Sequence, residues 1–182
     1  MSDVGPWLDE LHGVFARLPA GTLDAAVEAV EAAPRLLLWG AGRAGLALQA
    51  LAMRLHQSGR DAHWLGDVTV PPLRPGDLLL VNASRGDLPR AVALLRQAGP
   101  LGVQRAVLTA AAAGPALDAA DLVLRLPAQA WEGDGAPVPS TLPMGGQYEL
   151  ALWLFGDLLI RRLAARAGQE MSGLAARHAN LG

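Results

Sequence analysis

The sequence predicts an α/β fold in which helices cover both faces of a parallel sheet. Short apolar runs alternate with longer segments whose apolar residues recur at helical spacing, and short turns join them. The chain has 182 residues, of which 52% are hydrophobic and 18% are charged. These values are typical of a buried sheet wrapped in apolar helices, so we expect one domain over residues 1–182.

The N-terminal part, residues 1–33, is predicted to be helical. Apolar residues recur at helical spacing from Leu8 to Ala33, with a break at Pro19–Gly21, so we expect two helices. Thr22 follows the break and is a type of residue that caps helix N-termini through its hydroxyl group. We therefore expect Thr22 to cap the second helix.

Residues 34–127 are predicted to form the α/β core. Five short segments are predicted to form its strands: the continuous apolar run LLLW, then DAHWLG, DLLLVNA, VQRAVLT and DLVLRLP. Three segments have helical spacing: LALQALAMRLHQ, which ends at Ser58-Gly59, LPRAVALLRQAG, which starts near Pro89, and PALDAA. Because strands that alternate with helices pair in parallel, we expect a five-stranded parallel sheet.

The C-terminal part begins with an irregular segment. Residues 128–142 are rich in Pro, Gly and small polar residues and are longer than most loops, which favours a functional loop. Residues 143–182 then carry a long amphipathic helix within MGGQYELALWLFGDLLIRRLAARAG and a short helix in the tail EMSGLAARHANLG. We expect Trp39, Trp64 and Trp153 to be core or packing residues.

Charge and composition exclude several classes of function. The net charge of −2 provides no overall field that would attract nucleic acid or an anionic membrane. The chain has no cysteine, which rules out disulfides, thiolate catalysis and cysteine-bound metals. Charged residues or glycine interrupt every long apolar stretch, so we expect no membrane span, no leader peptide and a cytoplasmic location.

A glycine motif follows the first predicted strand and begins the next helix. Gly40, Gly42 and Gly45 have the spacing G-x-G-x-x-G, and Asp67 lies about 20 residues further on, as in dinucleotide-binding enzymes. Asp67, however, lies just past the predicted end of the second strand. The glycines would also allow a tight turn, and the N–H groups of a helix start favour any anion. The motif alone leaves a nicotinamide site, another anion site and a structural turn open.

Several motifs, taken in order, carry a resemblance to a known family: GAGRAG with LAMRLHQSG, LGDVTVPPLRPGDLL, LPMGGQYELALWLFGDLL and RHANLG. The chain resembles sugar isomerase (SIS) domains and, among them, the 6-phospho-3-hexuloisomerase family over nearly its whole length. The resemblance implies a three-layer α-β-α sandwich of flavodoxin-like type, assembled as a homodimer or homotetramer. It also implies a sugar-phosphate ligand, no metal or organic cofactor, and a carbonyl shift between C3 and C2 of a hexulose 6-phosphate through an enediol.

The resemblance assigns roles to individual residues. Glu149 is the candidate base, because a glutamate follows the family's Leu-Pro-Met-Gly box, and its alternative role is to stabilise a helix N-terminus. His178, in the Arg-His-Ala-Asn tail, is the candidate second proton carrier and is expected to reach an active site across a subunit interface. The expected substrate-binding residues come from both glycine turns and the Leu-Pro-Met-Gly box: Gly40, Gly42, Arg43, Ser84, Arg85, Gly86, Met144 and Gly145. Thr69, with Asp67, is a further candidate.

The second glycine turn departs from the family pattern. Where the family has Ser-Gly-Ser-Gly-Glu-Thr, this chain has Ala83-Ser84-Arg85-Gly86-Asp87-Leu88, so no hydroxyl stands at the family's hydroxyl positions. Each hydrogen bond to a charged phosphate contributes about 1.5 to 3 kcal/mol, so phosphate binding should weaken unless Arg85 compensates through a charge-assisted fork. Three hypotheses stay open: an isomerase, a SIS protein that binds a sugar phosphate without turnover, and a nicotinamide-dependent enzyme.

Overall fold

A parallel sheet forms the centre of the molecule in this computed structural model, which describes residues 3–132, 138–169 and 172–180. Its strands are β1 (Arg35–Trp39), β2 (Asp61–Trp64), β3 (Leu78–Asn82), β4 (Gln104–Thr109) and β5 (Leu122–Arg125). Their order across the sheet is β2-β1-β3-β4-β5. The helices are α1 (Gly5–Ala16), α2 (Thr22–Ala32), α3 (Gly42–Gln57), α4 (Pro89–Ala98), α5 (Pro115–Asp118), α6 (Gly146–Arg166) and α7 (Ser172–Ala175). Short 3-10 turns lie at Gly99–Leu101 and Pro143–Gly145.

The strands are apolar on both faces because each face packs on helices. In β1, Leu36 and Leu38 contribute to the core shared with α1, α2, α3 and α6, whereas Leu37 contributes to the core shared with α4. All five residues of the central strand β3 are buried. Continuous apolar runs are the pattern expected of such doubly covered strands. The predicted α-β-α sandwich around five parallel strands is confirmed.

The long helix α6 packs along α1, α2 and α3. Its inward residues include Tyr148, Leu152, Phe155 and Leu159, all nearly inaccessible to solvent and spaced three or four residues apart. The opposite face of the helix is also apolar, and Trp153 on that face is 50% exposed. Trp153 is therefore not a core residue of the subunit, because helical spacing places it on the outward side. Trp39 and Trp64 are partly buried.

The break between the first two helices lies where the sequence predicts it, but the capping residue differs. Gly21 is the N-cap of α2, with a φ of 81°, and the helix itself begins at Thr22. No side-chain hydrogen bond caps this helix, and Thr22 is buried. The predicted Thr22 cap is wrong because glycine, which adopts positive φ without strain, takes the turn position immediately before it.

The strand order creates a crevice at one end of the sheet. From β1 the chain passes to the edge strand β2 and then returns to β3 on the other side of β1. The connections that follow β1 and β3 therefore leave in opposite directions, and a space remains between them at the carboxyl ends of the two strands. In the part of the chain that the structure describes, every helix is too short or too polar to cross a bilayer.

Candidate functional site

A cavity of about 770 Å³ opens at the carboxyl ends of β1 and β3. The turn after β1, the turn after β3 and the segment that leads into α6 form its wall. The two turns meet because parallel strands end at the same edge of a sheet. The cavity thus lies at the position where open α/β sheets bind their ligands.

Seven of the ten residues predicted for the site line this cavity: Gly42, Arg43, Ser84, Arg85, Met144, Gly145 and Glu149. Gly40 and Gly86 belong to the same two turns but lie behind the lining, where they pack against backbone. His178 lines a different cavity. The structure therefore brings the predicted turn residues and the predicted base together, while their roles in binding and catalysis stay predictions.

The first turn, Gly40–Gly45, is held by contact between backbone atoms. A Cβ atom on Gly45 would lie 2.6 Å from the carbonyl oxygen of Gly40, and one on Gly40 would lie 3.0 Å from the Cα of Gly45. Gly42 has a φ of 57°, a left-handed conformation in which glycine is favoured. These glycines let the start of α3 approach the end of β1 closely, as predicted for a structural turn.

Arg43 joins this first turn to the predicted base. Its Nε donates a hydrogen bond of 2.6 Å to Oε2 of Glu149, which lies in the first turn of α6. The side chain of Arg43 is 74% exposed and that of Glu149 only 19%. Because water screens so exposed an arginine, the ion pair contributes little to stability. The ion pair instead orients the carboxylate of Glu149 at the cavity wall.

The second turn, Ala83–Leu88, presents an arginine in place of the family's hydroxyl groups. Arg85 donates from Nη2 to Asp87 Oδ2 at 3.0 Å, from Nε to Asp87 Oδ1 at 3.3 Å and from Nη1 to Glu132 Oε2 at 2.6 Å. The hydrogen bonds and the charge of Asp87, together with Glu132, raise the pKa of Arg85. Arg85 is consequently a fixed cation in the cavity wall, held between two carboxylates.

Gly86 gives the second turn its shape. Its φ is 77°, and a Cβ atom there would lie 2.9 Å from the carbonyl oxygen of Ala113. The carbonyl oxygen of Ser84 in turn accepts hydrogen bonds from the hydroxyl group of Thr109, the last residue of β4, and from the backbone N–H of Ala110, which follows it. The backbone of the turn is thus anchored to its neighbours independently of the side chains that it displays.

The Leu-Pro-Met-Gly box closes the third side of the cavity through an unusual backbone conformation. Met144 has a φ of 52° and Gly145 a φ of 78°. A Cβ atom on Gly145 would overlap the backbone nitrogen of Trp131, so this position requires glycine. Met144 is 69% exposed at the cavity mouth. Of the predicted loop that this box follows, residues 133–137 lie outside the described residues.

Glu10 in α1, which sequence reasoning missed, anchors this loop. Its carboxylate accepts hydrogen bonds from Ser140 Oγ at 2.6 Å, from the Thr141 backbone N–H at 3.0 Å, from Thr141 Oγ1 at 2.9 Å and from Gln147 Nε2 at 3.4 Å. Burial alone would raise the pKa of Glu10, but these hydrogen bonds together lower it below its ordinary value. An acid within an amphipathic helix gives no sequence signal for such a contact.

A second polar pair that sequence reasoning missed lies at the inner end of the cavity. Asn82, the last residue of β3, donates from Nδ2 to the hydroxyl oxygen of Tyr148 at 2.6 Å. Both residues are buried and both contribute to the cavity lining. Burial raises the pKa of Tyr148, and the hydrogen bond from Asn82 opposes this only in part, so the phenol stays protonated. The pair gives the apolar interior one neutral, hydrogen-bonded polar group beside Glu149.

His178 lies in a cavity of about 580 Å³ with Arg54, Asp157 and Arg161 among its neighbours. Its Nδ1 is 2.9 Å from the carbonyl oxygen of Ala179, a contact in which the imidazole N–H donates. Asp157 is two helical turns beyond Glu149 on α6, a separation of about 12 Å along the axis. Within one subunit, His178 and Glu149 are therefore apart, and a role for His178 in the site of a second subunit stays a prediction.

Two further candidates lie outside the main cavity. Asp67 lines a separate surface cavity with Gly66 and Trp64, and Thr69 is exposed. Neither residue lines the main cavity within the subunit, and a role for them in the site stays a prediction. Among residues 3–132, 138–169 and 172–180, no three His, Cys, Asp or Glu side chains are grouped as a metal site would require.

Comparison with known proteins identifies relatives that match almost the whole chain. The chain is 30% identical over 174 residues to a 3-hexulose-6-phosphate isomerase of Bacillus subtilis, with 96% of this chain and 94% of the relative covered. It is also 30% identical over 174 residues to a 3-hexulose-6-phosphate isomerase of Methylomonas aminofaciens, with 96% and 95% covered. No protein-family model matches the chain.

The fold has a counterpart among solved structures. The crystal structure of a hypothetical protein from Methanococcus jannaschii, for which a 3-hexulose-6-phosphate isomerase function was inferred, has a TM-score of 0.85 to this chain and covers 100% of both chains at 22% identity. That likeness supports the fold, and the relatives in Bacillus and Methylomonas establish the family. The chain therefore belongs, by its sequence, to the 3-hexulose-6-phosphate isomerase family, and its SIS fold agrees with that assignment.

Proposed function

We propose that the chain is an isomerase that interconverts a 3-hexulose 6-phosphate and fructose 6-phosphate in the cavity at the ends of β1 and β3. The observation that carries this proposal is the position of Glu149, a carboxylate in the cavity wall with the Arg43 guanidinium 2.6 Å away. Family membership supports the substrate class, since relatives that are 30% identical are named for this reaction.

The reaction requires one proton to move between adjacent carbons. Starting from fructose 6-phosphate, Glu149 removes the C3 proton, the released electron pair forms a C2=C3 double bond, and the C2 oxygen takes up the negative charge. Return of a proton to C2, with a second proton moved between the O2 and O3 oxygens, gives the 3-hexulose 6-phosphate. Nothing is oxidised or reduced overall, so the proposed chemistry needs no redox cofactor.

Two arginines in the cavity wall suit an anionic intermediate and an anionic substrate. Arg43, which contacts Glu149, is positioned to stabilise the enediolate oxygens by hydrogen bonding. Arg85, with the backbone N–H groups where α4 begins, is our candidate for the phosphate group, in place of the family's hydroxyl groups. In this proposal the substrate lies with its carbonyl end towards the first turn and its phosphate towards the second.

We further propose that the protein works as a homodimer or homotetramer in the cytoplasm, with His178 of the partner subunit completing each site. An apolar outward face on α6 supports this assembly, since Leu150, Trp153 and Leu154 are each 40% or more exposed. Contiguous exposed apolar surface of this kind commonly marks a subunit interface. The tail histidine, which lies away from Glu149 in its own subunit, would then transfer the proton between the two substrate oxygens.

The direct test is proton NMR of fructose 6-phosphate incubated with the protein in D2O. We expect the C3 proton signal to disappear with the native protein and with the control Glu28→Gln, whose side chain is exposed on α2 away from the cavity. Glu149→Gln, which keeps the shape of the side chain but cannot act as a base, should slow exchange at least about 100-fold. Binding of fructose 6-phosphate by the native protein without any exchange would instead identify a sugar-phosphate-binding protein that does not turn over.

A further inference from the structure

The lining of the cavity carries more negative than positive charge. Its charged residues are two arginines, Arg43 and Arg85, and three acids, Asp87, Glu132 and Glu149, among the residues that the structure describes. A sugar phosphate brings further negative charge into this space. Because like charges in a partly enclosed cavity repel strongly, an incoming phosphate needs a cation that is not already neutralised.

Each of the three guanidinium nitrogen atoms of Arg85 already donates a hydrogen bond to a carboxylate. Two of its nitrogen atoms bind Asp87, and Nη1 binds Glu132 at 2.6 Å. A phosphate bound by the arginine fork would compete for the same nitrogen atoms, since guanidinium binds carboxylate and phosphate oxygens in one geometry. A carboxylate of the protein therefore lies where a phosphate oxygen would bind.

Glu132 is the acid that can leave. Asp87 lies two residues from Arg85 within the same turn and accepts two hydrogen bonds, whereas Glu132 accepts one. The side chain of Glu132 is 57% exposed, so water can solvate its carboxylate as soon as the contact breaks.

We propose that Glu132 is an internal competitor of the substrate's phosphate group, bound to Arg85 when the cavity is empty and displaced when a phosphate enters. The inference rests on the proposed function in taking a sugar phosphate as the ligand. It makes Glu132 a determinant of specificity. A ligand must offer a phosphate that binds Arg85 better than a carboxylate does, and its sugar part must supply the remaining affinity.

The test is calorimetric titration of the native protein and Glu132→Gln with inorganic phosphate, fructose 6-phosphate and uncharged fructose. The amide keeps the shape of the side chain and removes its charge, so phosphate and fructose 6-phosphate should bind about three- to tenfold more tightly, with fructose unchanged. The control Glu28→Gln, on α2, should bind like the native protein. The gain should also shrink at high salt, because screening weakens the repulsion that the variant removes.

A second variant tests whether the gain in phosphate affinity of Glu132→Gln depends on Arg85. Arg85→Gln combined with Glu132→Gln should bind phosphate no more tightly than Arg85→Gln alone, which a double-mutant cycle measures. Weaker or unchanged phosphate binding by Glu132→Gln would overturn the inference, since Glu132 would then orient Arg85 or play no part. Tighter binding without isomerisation by any variant would leave the inference standing and refute the proposed reaction.

Discussion

The two glycine turns of the cavity are built alike in backbone and differently in side chains. Each follows a buried parallel strand, begins a helix, contains a glycine with positive φ, and presents one arginine to the cavity. Arg43 of the first turn pairs with Glu149, which is distant in sequence, on α6. Arg85 of the second pairs with Asp87 in its own turn and with Glu132 from the loop after β5.

The comparison shows that backbone contacts fix the conformation of each turn, whereas its side chains determine which groups it pairs with. Gly45 against Gly40 and Gly86 against Ala113 are contacts with backbone atoms, which no neighbouring side chain can replace. The residues displayed between these glycines are free to differ from the family pattern without moving the backbone N–H groups. We therefore expect the missing hydroxyl groups of the second turn to alter its ligand chemistry without altering the backbone geometry that Gly86 sets.

Gly45→Ala should have the largest effect on stability, because it disrupts the close backbone contact that fixes the first turn. The added Cβ would lie 2.6 Å from the Gly40 oxygen, and the turn must open to admit it. We expect a loss of about 3 kcal/mol in the free energy of unfolding, measured by urea denaturation, and a similar loss for Gly86→Ala. Gly173→Ala, with nothing within 4 Å of its Cβ, is the matched control. Native stability of both turn variants would show that these close contacts are dispensable.

Arg43→Gln should affect catalysis more than stability. This effect would distinguish the first turn, whose arginine contacts the proposed base, from the second, whose arginine is the proposed phosphate ligand. Arg43 contacts the proposed base, so its loss should misplace Glu149 and lower kcat by about 100-fold, with KM little changed. Steady-state kinetics and a thermal melt on the same sample measure both effects. Arg96→Gln, at an exposed position of α4, serves as the control. A rise in KM at constant kcat would mean that Arg43 binds the phosphate and that the two turns have exchanged roles.

Glu10→Gln should have the smallest effect and should depend on pH. The hydrogen bonds that hold the loop lower the pKa of Glu10, so its stabilising effect is complete above the ordinary carboxyl pKa of 4.5 and is lost as pH falls through the lower folded value. We expect the variant to lose about 1.5 kcal/mol in the free energy of unfolding at pH 7, at the low end for charged hydrogen bonds because the carboxylate is partly exposed. Urea denaturation at pH 7 and pH 3 measures the difference. An equal loss at both pH values would mean that the charge of Glu10 is irrelevant to the loop.

Most of the fold could be predicted because local patterns determine it. The five strands lie within the segments predicted for them, and α3 ends at Gln57, next to the predicted Ser58-Gly59 stop. Local pattern also accounts for the errors. A hydroxyl residue after a break suggests a cap, although Gly21 takes that position, and an aromatic residue suggests a core, although Trp153 is half exposed.

The candidate site could be predicted only in the parts that motifs carry. The two turns and Glu149 come from recognisable sequence patterns, and the structure brings them to one cavity. Glu10 with Thr141, Asn82 with Tyr148, and Arg85 with Glu132 are partners far apart in sequence. Such pairs depend on how the layers pack, and no spacing rule within one segment can reveal them.

The pair of Asn82 and Tyr148 also equips the protein with a reporter. Tyr148 is the single tyrosine of the chain, and its buried hydroxyl oxygen accepts a hydrogen bond from Asn82 at the inner end of the cavity, one residue before Glu149. Protein grown with isotope-labelled tyrosine would give one aromatic spin system and one labelled backbone amide, with no assignment needed. Ligand entry, opening of the cavity and rotation of a tightly packed ring would each be read from that single set of resonances.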